Sequence, residues 1–164
     1  MTARPLTEGE RRLAFSAFGD AIDYDPVRIV RRRWWPFQPR ETAMAPCGNI
    51  HFHPAGSLWS EDVAAAGLDL QALFIHEMTH VWQAQRRGRF YLPLMRHPFC
   101  RYGYMLKPGQ SFERYGLEQQ GEIMRHAFLL REGTRMAGAP PLETYLEIIP
   151  FAFAQSPSLS TGRG

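Results

Sequence analysis

The sequence is poor in cysteine and lysine and has no long apolar run. Its only cysteines are Cys47 and Cys100, so at most one disulfide can form and a disulfide-rich secreted scaffold is excluded. We interpret both as buried small residues or free thiols. No stretch approaches the ~18 consecutive apolar residues of a membrane span. The polar N-terminus lacks the apolar middle of a secretory signal. We therefore expect a cytoplasmic protein, with export by a route that needs no cleaved signal as the alternative.

The size and composition predict one globular domain. The chain has 164 residues, of which 45% are hydrophobic and 21% charged. A chain of this length buries about 70% of the surface that it exposes when unfolded, so a core can form without disulfides. We predict a domain over residues 1–155 and a flexible tail over 156–164, where serine, glycine and proline dominate.

The basic residues give little reason to expect a nucleic-acid partner. The formal net charge is only +3, and every basic residue except Lys107 is arginine. A charge this small does not by itself argue for DNA or RNA binding. The one basic-aromatic cluster is Arg31–Trp35, which we interpret as a solvated strand end beside buried tryptophans. Salt-dependent nucleic-acid binding through this cluster is the alternative.

Apolar periodicity and turn residues predict an α+β fold, with a small sheet from the first half packed on a central helix and a helical second half. We predict helices over residues 7–18, 69–88 and 111–132, and a last helix from Pro140-Pro141 that Pro150 kinks or ends. Short strands are predicted at Val27–Val30 and Asn49–His53. The proline-rich segment Trp35–Gly48 is predicted to be a loop.

The central helix contains the pattern His-Glu-x-x-His at residues 76–80. His76 and His80 are four residues apart, so their imidazoles lie on one helix face and can converge on one cation. Neutral imidazole is a good ligand of Zn²⁺, and zinc lowers the pKa of a bound water toward about 7. Glu77 can reach that water and act as a general base. The pattern therefore predicts a hydrolytic zinc site.

A catalytic zinc ion usually has a third protein ligand and one open position. The next long helix offers Glu118 and Glu122, which are also four residues apart. We predict that Glu118 binds the metal while Glu122 orients a ligand histidine. Glu113 and Glu132 are alternatives without a partner at that spacing, and His97 and His126 are alternative ligands.

This arrangement resembles the zincin metallopeptidases of the gluzincin type, which carry His-Glu-x-x-His on one helix and Glu-x-x-x-Asp on a following one. The resemblance implies a zincin-like domain in which His76, His80 and Glu118 bind zinc and Glu77 is the general base. Glu122 stands where those proteins have an acidic residue supporting a histidine, although aspartate is usual there. No third histidine follows the motif in residues 81–90, which disfavours a metzincin.

The chain also resembles small bacterial proteins related to Vgr and Rhs elements. The resembling pieces are Phe18–Tyr24, Phe74–Gln83 and Tyr115–Gln120. That resemblance implies a compact zincin domain and an association with type VI secretion, and it indicates no particular substrate.

In zincins, a strand edge beside the active-site helix pairs with the extended substrate backbone. We predict that Asn49, Ile50, His51 and Phe52 form this edge, with His51 and His53 exposed on one face. A donor for the developing oxyanion is also needed, and we assign Tyr115 to it, with Tyr102 and Tyr104 as alternatives.

The sequence thus predicts a zinc-dependent metallopeptidase that acts on a peptide or protein. A non-catalytic zinc-binding domain, for example a type VI secretion effector or partner, is the alternative.

Overall fold

The computed structural model describes residues 3–95 and 101–153. Within these ranges the chain is a small α+β domain with four strands, five helices and one apolar core, so the predicted α+β class is confirmed. The predicted tail, Cys100 and His97 lie outside the described residues. The strands are β1 (Ala3–Pro5), β2 (Arg28–Val30), β3 (Ala43–Met44) and β4 (Ile50–Phe52), and the helices are α1 (Glu8–Phe18), α2 (Leu68–Arg87), α3 (Tyr91–Met95), α4 (Leu117–Arg131) and α5 (Leu142–Leu146).

The four strands form one sheet in the order β1-β2-β4-β3. β1 pairs antiparallel with β2, β2 pairs parallel with β4, and β3 pairs antiparallel with β4. The sequence predicted β2 and β4 but neither outer strand. β3 is only two residues long and lies within the segment that its prolines predicted to be a loop. The outer strands are therefore the part of the sheet that the pattern could not reveal.

The first helix begins as predicted and the central one is capped differently. The Thr7 side chain accepts from the Glu10 backbone N–H, and the Glu10 side chain accepts from the Thr7 N–H, which is a capping box. Helix α2 was predicted to begin at residue 69, but its N-cap is Gly67, and Asp69 lies in the first turn, where a carboxylate interacts favourably with the helix dipole. The helix ends at Gly88, whose φ of 102° other residues rarely adopt.

Helix α4 is shorter than the predicted helix over residues 111–132. The segment Phe112–Arg114 forms a separate 3₁₀ turn, and Tyr115 and Gly116 have extended backbone before α4 begins. The amide of Gly116 donates to the side chain of Gln119, which caps the helix. Glu118 consequently lies in the first turn of α4, where a carboxylate interacts favourably with the helix dipole.

Helices α2 and α4 pack against each other at the centre of the domain. Phe74 and Met78 of α2 and Ile123 and Met124 of α4 are completely buried. Since these apolar faces meet, residues at neighbouring positions on the two helices are held together in the interior. None of the helices in the described part of the chain has both the length and the apolar character required to cross a membrane.

Candidate metal centre

His76 and His80 lie on the face of α2 that meets α4. They are 4% and 2% exposed, and their Nε2 atoms are 3.1 Å apart. If both Nε2 atoms present lone pairs, those lone pairs repel each other at this distance, and a cation between them removes the repulsion. The convergence of two Nε2 atoms in a buried site is the arrangement that a shared cation stabilises.

Glu118 completes a group of three possible ligands. Its Oε2 atom is 3.4 Å from His76 Nε2 and 3.3 Å from His80 Nε2. Donor atoms that bind a tetrahedral zinc ion at roughly 2.0–2.1 Å are separated from one another by about 3.3–3.4 Å. The two separations from Glu118 match this spacing, the histidine Nε2 atoms at 3.1 Å are slightly closer, and the carboxylate is only 1% exposed. The residues predicted as metal ligands are therefore brought together, and their donor set fits zinc.

Gly121 allows α4 to approach His76. A Cβ atom at position 121 would lie 2.7–2.9 Å from three atoms of the His76 ring. Glycine in the interior of a helix costs about 1 kcal/mol relative to alanine. The close approach explains why a glycine lies between Glu118 and Glu122, a feature that the sequence showed only as a weak position in the predicted helix.

Glu122 contacts the other nitrogen of His76. Its Oε1 atom is 2.9 Å from His76 Nδ1. Burial disfavours the charged imidazole, but the contacts with Glu118 and Glu122 outweigh it and raise the pKa of His76 to about 9 in the metal-free protein. Burial likewise disfavours the charged carboxylate, yet the contact with His76 lowers the pKa of Glu122. Glu122 thus occupies the position predicted for a residue that orients a ligand histidine.

The alternative ligands lie elsewhere among the described residues. His126 Nε2 is 3.4 Å from Glu122 Oε2, and its Nδ1 faces the Tyr104 hydroxyl, so it contacts the supporting carboxylate and is not part of the ligand group. Glu113 pairs with Arg86, and Glu132 pairs with Arg131.

Glu77 is buried beside the ligand group and lines a cleft of about 510 Å³. Its Oε2 atom has no hydrogen-bond partner in the described part of the chain. A buried carboxylate oxygen without a partner is costly, so its position indicates a use for that oxygen. The same cleft is lined by His76, Glu118 and Glu122. Glu77 can therefore exchange a proton with a molecule held there.

The predicted catalytic role of Tyr115 is contradicted by its position. Tyr115 is 5% exposed and lines a different cavity, and its hydroxyl accepts from the backbone N–H of Lys107. The helix predicted over residues 111–132 would have included Tyr115, but Tyr115 has extended backbone and precedes α4. Tyr102, one of the alternatives, does line the cleft, and its ring is stacked 6.4 Å from the ring of His76.

The predicted substrate-binding edge was also assigned to the wrong strand. Asn49, Ile50, His51 and Phe52 do not form an edge, because β4 is paired with β2 on one side and with β3 on the other. His51 is buried as well, whereas His53 is not. The outer strand on the side of the cleft is β3, and its residues Ala43 and Met44 line the cleft.

The Arg31–Trp35 cluster does not have the predicted buried tryptophans. Trp34 and Trp35 are 42% and 45% exposed, and Trp35 contacts Phe37 edge to face. Trp35 lies on the cleft wall with β3, while Tyr102 lines the same cleft beside His76. The cleft therefore has aromatic side chains next to its polar ligand group.

His80 has a partner that sequence reasoning missed. Its Nδ1 atom is 2.8 Å from the Oε1 atom of Gln83, which is 2% exposed. The signal was available in principle, because a glutamine three residues after a histidine lies on the same helix face.

The sequence and the fold of this chain are similar to those of a secretion-system protein. No family model matches the chain. The chain is 41% identical over 133 residues to the type VI secretion system spike protein VgrG2b of Pseudomonas aeruginosa; the match covers 77% of this chain and 13% of that protein. It is also similar to the solved structure of the effector domain of Pseudomonas aeruginosa VgrG2b, with a TM-score of 0.73 and 34% identity. That likeness covers 90% of this chain and 84% of the effector domain.

Proposed function

The chain belongs to the family of the VgrG2b effector domain, and we propose on that basis that it is a type VI secretion effector that hydrolyses peptide bonds with a zinc ion. The observation that carries the hydrolytic part is the triangle of His76, His80 and Glu118 donor atoms, whose 3.1–3.4 Å sides fit a tetrahedral ion. This proposal favours a protein that is exported from the cell without a cleaved signal.

The ligand group and Glu77 supply the chemistry of the reaction. His76, His80 and Glu118 would hold the zinc ion, which when bound acts as a Lewis acid on the attacking water and the substrate carbonyl. Glu77 accepts a proton from the water as the new C–O bond forms. It then donates that proton to the amine nitrogen as the C–N bond breaks, so water and an amide give an acid and an amine.

The cleft supports an extended peptide as the substrate. β3 is the outer strand beside the ligand group, and a peptide could add to it through main-chain hydrogen bonds. Trp35 and Tyr102 provide aromatic surface for side chains of that peptide. Arg125 also lines the cleft, and its guanidinium group can donate to a substrate carbonyl.

The test separates hydrolysis from binding by the substitution Glu77→Gln. Removal of the general base should lower kcat about 10²- to 10⁴-fold on a cleavable peptide while zinc content, measured on the purified protein, stays at one ion per chain. A suitable peptide can be found by incubating the zinc-loaded protein with a proteome digest and sequencing the new N-termini. The matched control is Glu113→Gln, which removes a carboxylate that pairs with Arg86 outside the cleft.

Two results would contradict the proposal. Equal cleavage by the wild-type protein and Glu77→Gln would show that Glu77 takes no part in the reaction, and absence of zinc uptake would contradict the metal centre.

The effector role has its own measurement: the protein should reach the culture medium from bacteria with a working type VI system and not from a strain that lacks it. Full biological effect of Glu77→Gln after delivery would instead favour a non-catalytic effector.

A further inference from the structure

A directional chain of side-chain amides lies behind the metal ligand His80. Gln83 Nε2 donates to the backbone oxygen of Leu117 at 3.1 Å and to Gln120 Oε1 at 2.9 Å. Gln120 Nε2 donates to the backbone oxygen of Tyr115 at 2.8 Å. Both glutamines are buried, with 2% and 6% exposure. These hydrogen-bonded side-chain amides thus connect α2 with the segment that leads into α4.

The backbone carbonyls of Tyr115 and Leu117 determine which atom donates in each of these side-chain hydrogen bonds. A backbone carbonyl can only accept, so the amide nitrogen of Gln120 must face Tyr115 and its oxygen must face Gln83. Gln83 then donates with its nitrogen to both Gln120 and Leu117, which leaves its oxygen facing His80. An amide oxygen cannot donate, so His80 must carry its proton on Nδ1 and present the Nε2 lone pair to the ligand group.

From this logic, and on the basis of the proposed zinc centre, we propose that Gln83 is a positioning residue, which with Gln120 sets the tautomer and ring orientation of His80. The two histidines are then held differently. His76 faces the carboxylate of Glu122, whereas His80 faces a neutral amide. Partners of this kind commonly change metal affinity about 10- to 100-fold when they are removed.

Gln83 also links two ligands that come from different helices. The carbonyl of Leu117, to which it donates, directly precedes Glu118 in the first turn of α4. One buried side chain therefore contacts His80 and the backbone beside the third ligand. Loss of this side chain should loosen both positions, and the effect should be measurable in the zinc ion's affinity even without a substrate.

The experiment measures zinc affinity by competition with a chromophoric chelator, using metal-depleted full-length protein at neutral pH. Gln83→Leu removes the acceptor for His80 Nδ1–H and should weaken zinc binding about 10- to 100-fold. Gln83→Glu keeps an acceptor for that proton and should recover most of the affinity, although its carboxylate cannot donate to Leu117 or Gln120. A positioning role predicts that zinc affinity is high in the variants that keep an acceptor for the Nδ1 proton and low in Gln83→Leu. A merely structural role predicts that zinc affinity changes in parallel with the melting temperature.

Gln38→Leu is the matched control, because Gln38 is also a buried glutamine with a full set of partners. It is 3% exposed, donates to the carbonyls of Thr42 and His51 and accepts from the N–H of Trp34. This substitution should lower the melting temperature and leave zinc affinity unchanged. If Gln83→Leu does not fold, Gln120→Leu provides the second test, with a smaller loss of affinity expected.

Three outcomes would overturn the inference. Wild-type affinity in folded Gln83→Leu, or in Gln120→Leu if the first variant does not fold, shows that the amide chain does not position His80. Equal weakening by Gln83→Leu and Gln83→Glu shows that the acceptor for the Nδ1 proton is not what matters. Failure of the wild-type protein to take up zinc overturns the metal centre and the inference together, whereas zinc binding without hydrolysis contradicts only the proposed reaction.

Discussion

Replacing Gly121 by alanine should weaken zinc binding while α4 remains helical. The added Cβ would lie 2.7–2.9 Å from three atoms of the His76 ring, whereas carbon atoms in contact are normally about 3.5–4.0 Å apart. The ring or the helix must therefore move by about 0.7–1 Å. Zinc sites tolerate changes of only about 0.2 Å in ligand distance, so the displacement exceeds what the site can absorb. We expect a loss of affinity of at least 10-fold.

The stability of the metal-free Gly121→Ala protein is governed by two opposing effects. Alanine in a helix interior gains about 1 kcal/mol over glycine, and overpacking costs about 1–3 kcal/mol. The melting temperature of the metal-free protein should therefore change little or fall moderately, while zinc affinity falls clearly. Chelator competition measures the affinity, and circular dichroism checks that the total helix content equals that of the wild-type protein.

Gly67→Ala is the matched control for this prediction. Gly67 caps α2, its φ is −63°, and among the described residues other than its two chain neighbours none has an atom within 4 Å of a Cβ placed there. The control should bind zinc like the wild-type protein. If Gly121→Ala also bound zinc with wild-type affinity, the argument that α4 must approach the His76 ring this closely would be refuted.

Three further predictions concern the ligands, the metal-free protein and the core. Glu118→Gln should reduce zinc affinity more than Glu122→Gln, because only Glu118 presents an oxygen to both histidines, and chelator competition on both variants checks the order. Because the folded pKa of His76 is about 9, above the ordinary value of 6.5, its stabilising effect is complete below about pH 6.5 and is lost as the pH rises through 9. Thermal unfolding in the presence of a chelator should therefore show lower stability at pH 9 than at pH 6.5, and a flat or rising profile would contradict the environment described for His76. Phe74→Ala, at a completely buried position, should lower the free energy of unfolding by about 3–5 kcal/mol in urea denaturation, and a loss below 1 kcal/mol would contradict its place in the core.

The ligand group could be anticipated from the sequence because helical spacing determines it. Residues four apart share a helix face, so His76 with His80 and Glu118 with Glu122 were each expected to act as pairs. What the spacing could not give is how closely the two helices approach. That distance depends on Gly121, whose absent side chain leaves no periodic signal. Gln83 was missed for a related reason, since a glutamine in an amphipathic helix usually faces solvent.

The substrate side of the site could not be derived in the same way. β3 has two residues and no alternating pattern, so the substrate-binding edge was assigned to the more regular run Asn49–Phe52. Tyr115 was misplaced because the predicted helix continued through Gly116, whereas the chain is extended there. In both cases a short irregular segment, rather than a regular element, decides which residues face the cleft. Such segments are set by tertiary contacts that local sequence does not encode.

The position of Glu118 on a different helix from the two histidines links metal release to unfolding. The connection from His80 to Glu118 includes α3 and the 3₁₀ turn, and an ion held by both helices would close it into a loop. A ligand that binds only the folded form adds stability that grows with the concentration of the free ligand. On the proposed function, scarcity of zinc would therefore lower both the stability and the activity of the protein, so one environmental variable would govern how long it stays folded and whether it can act.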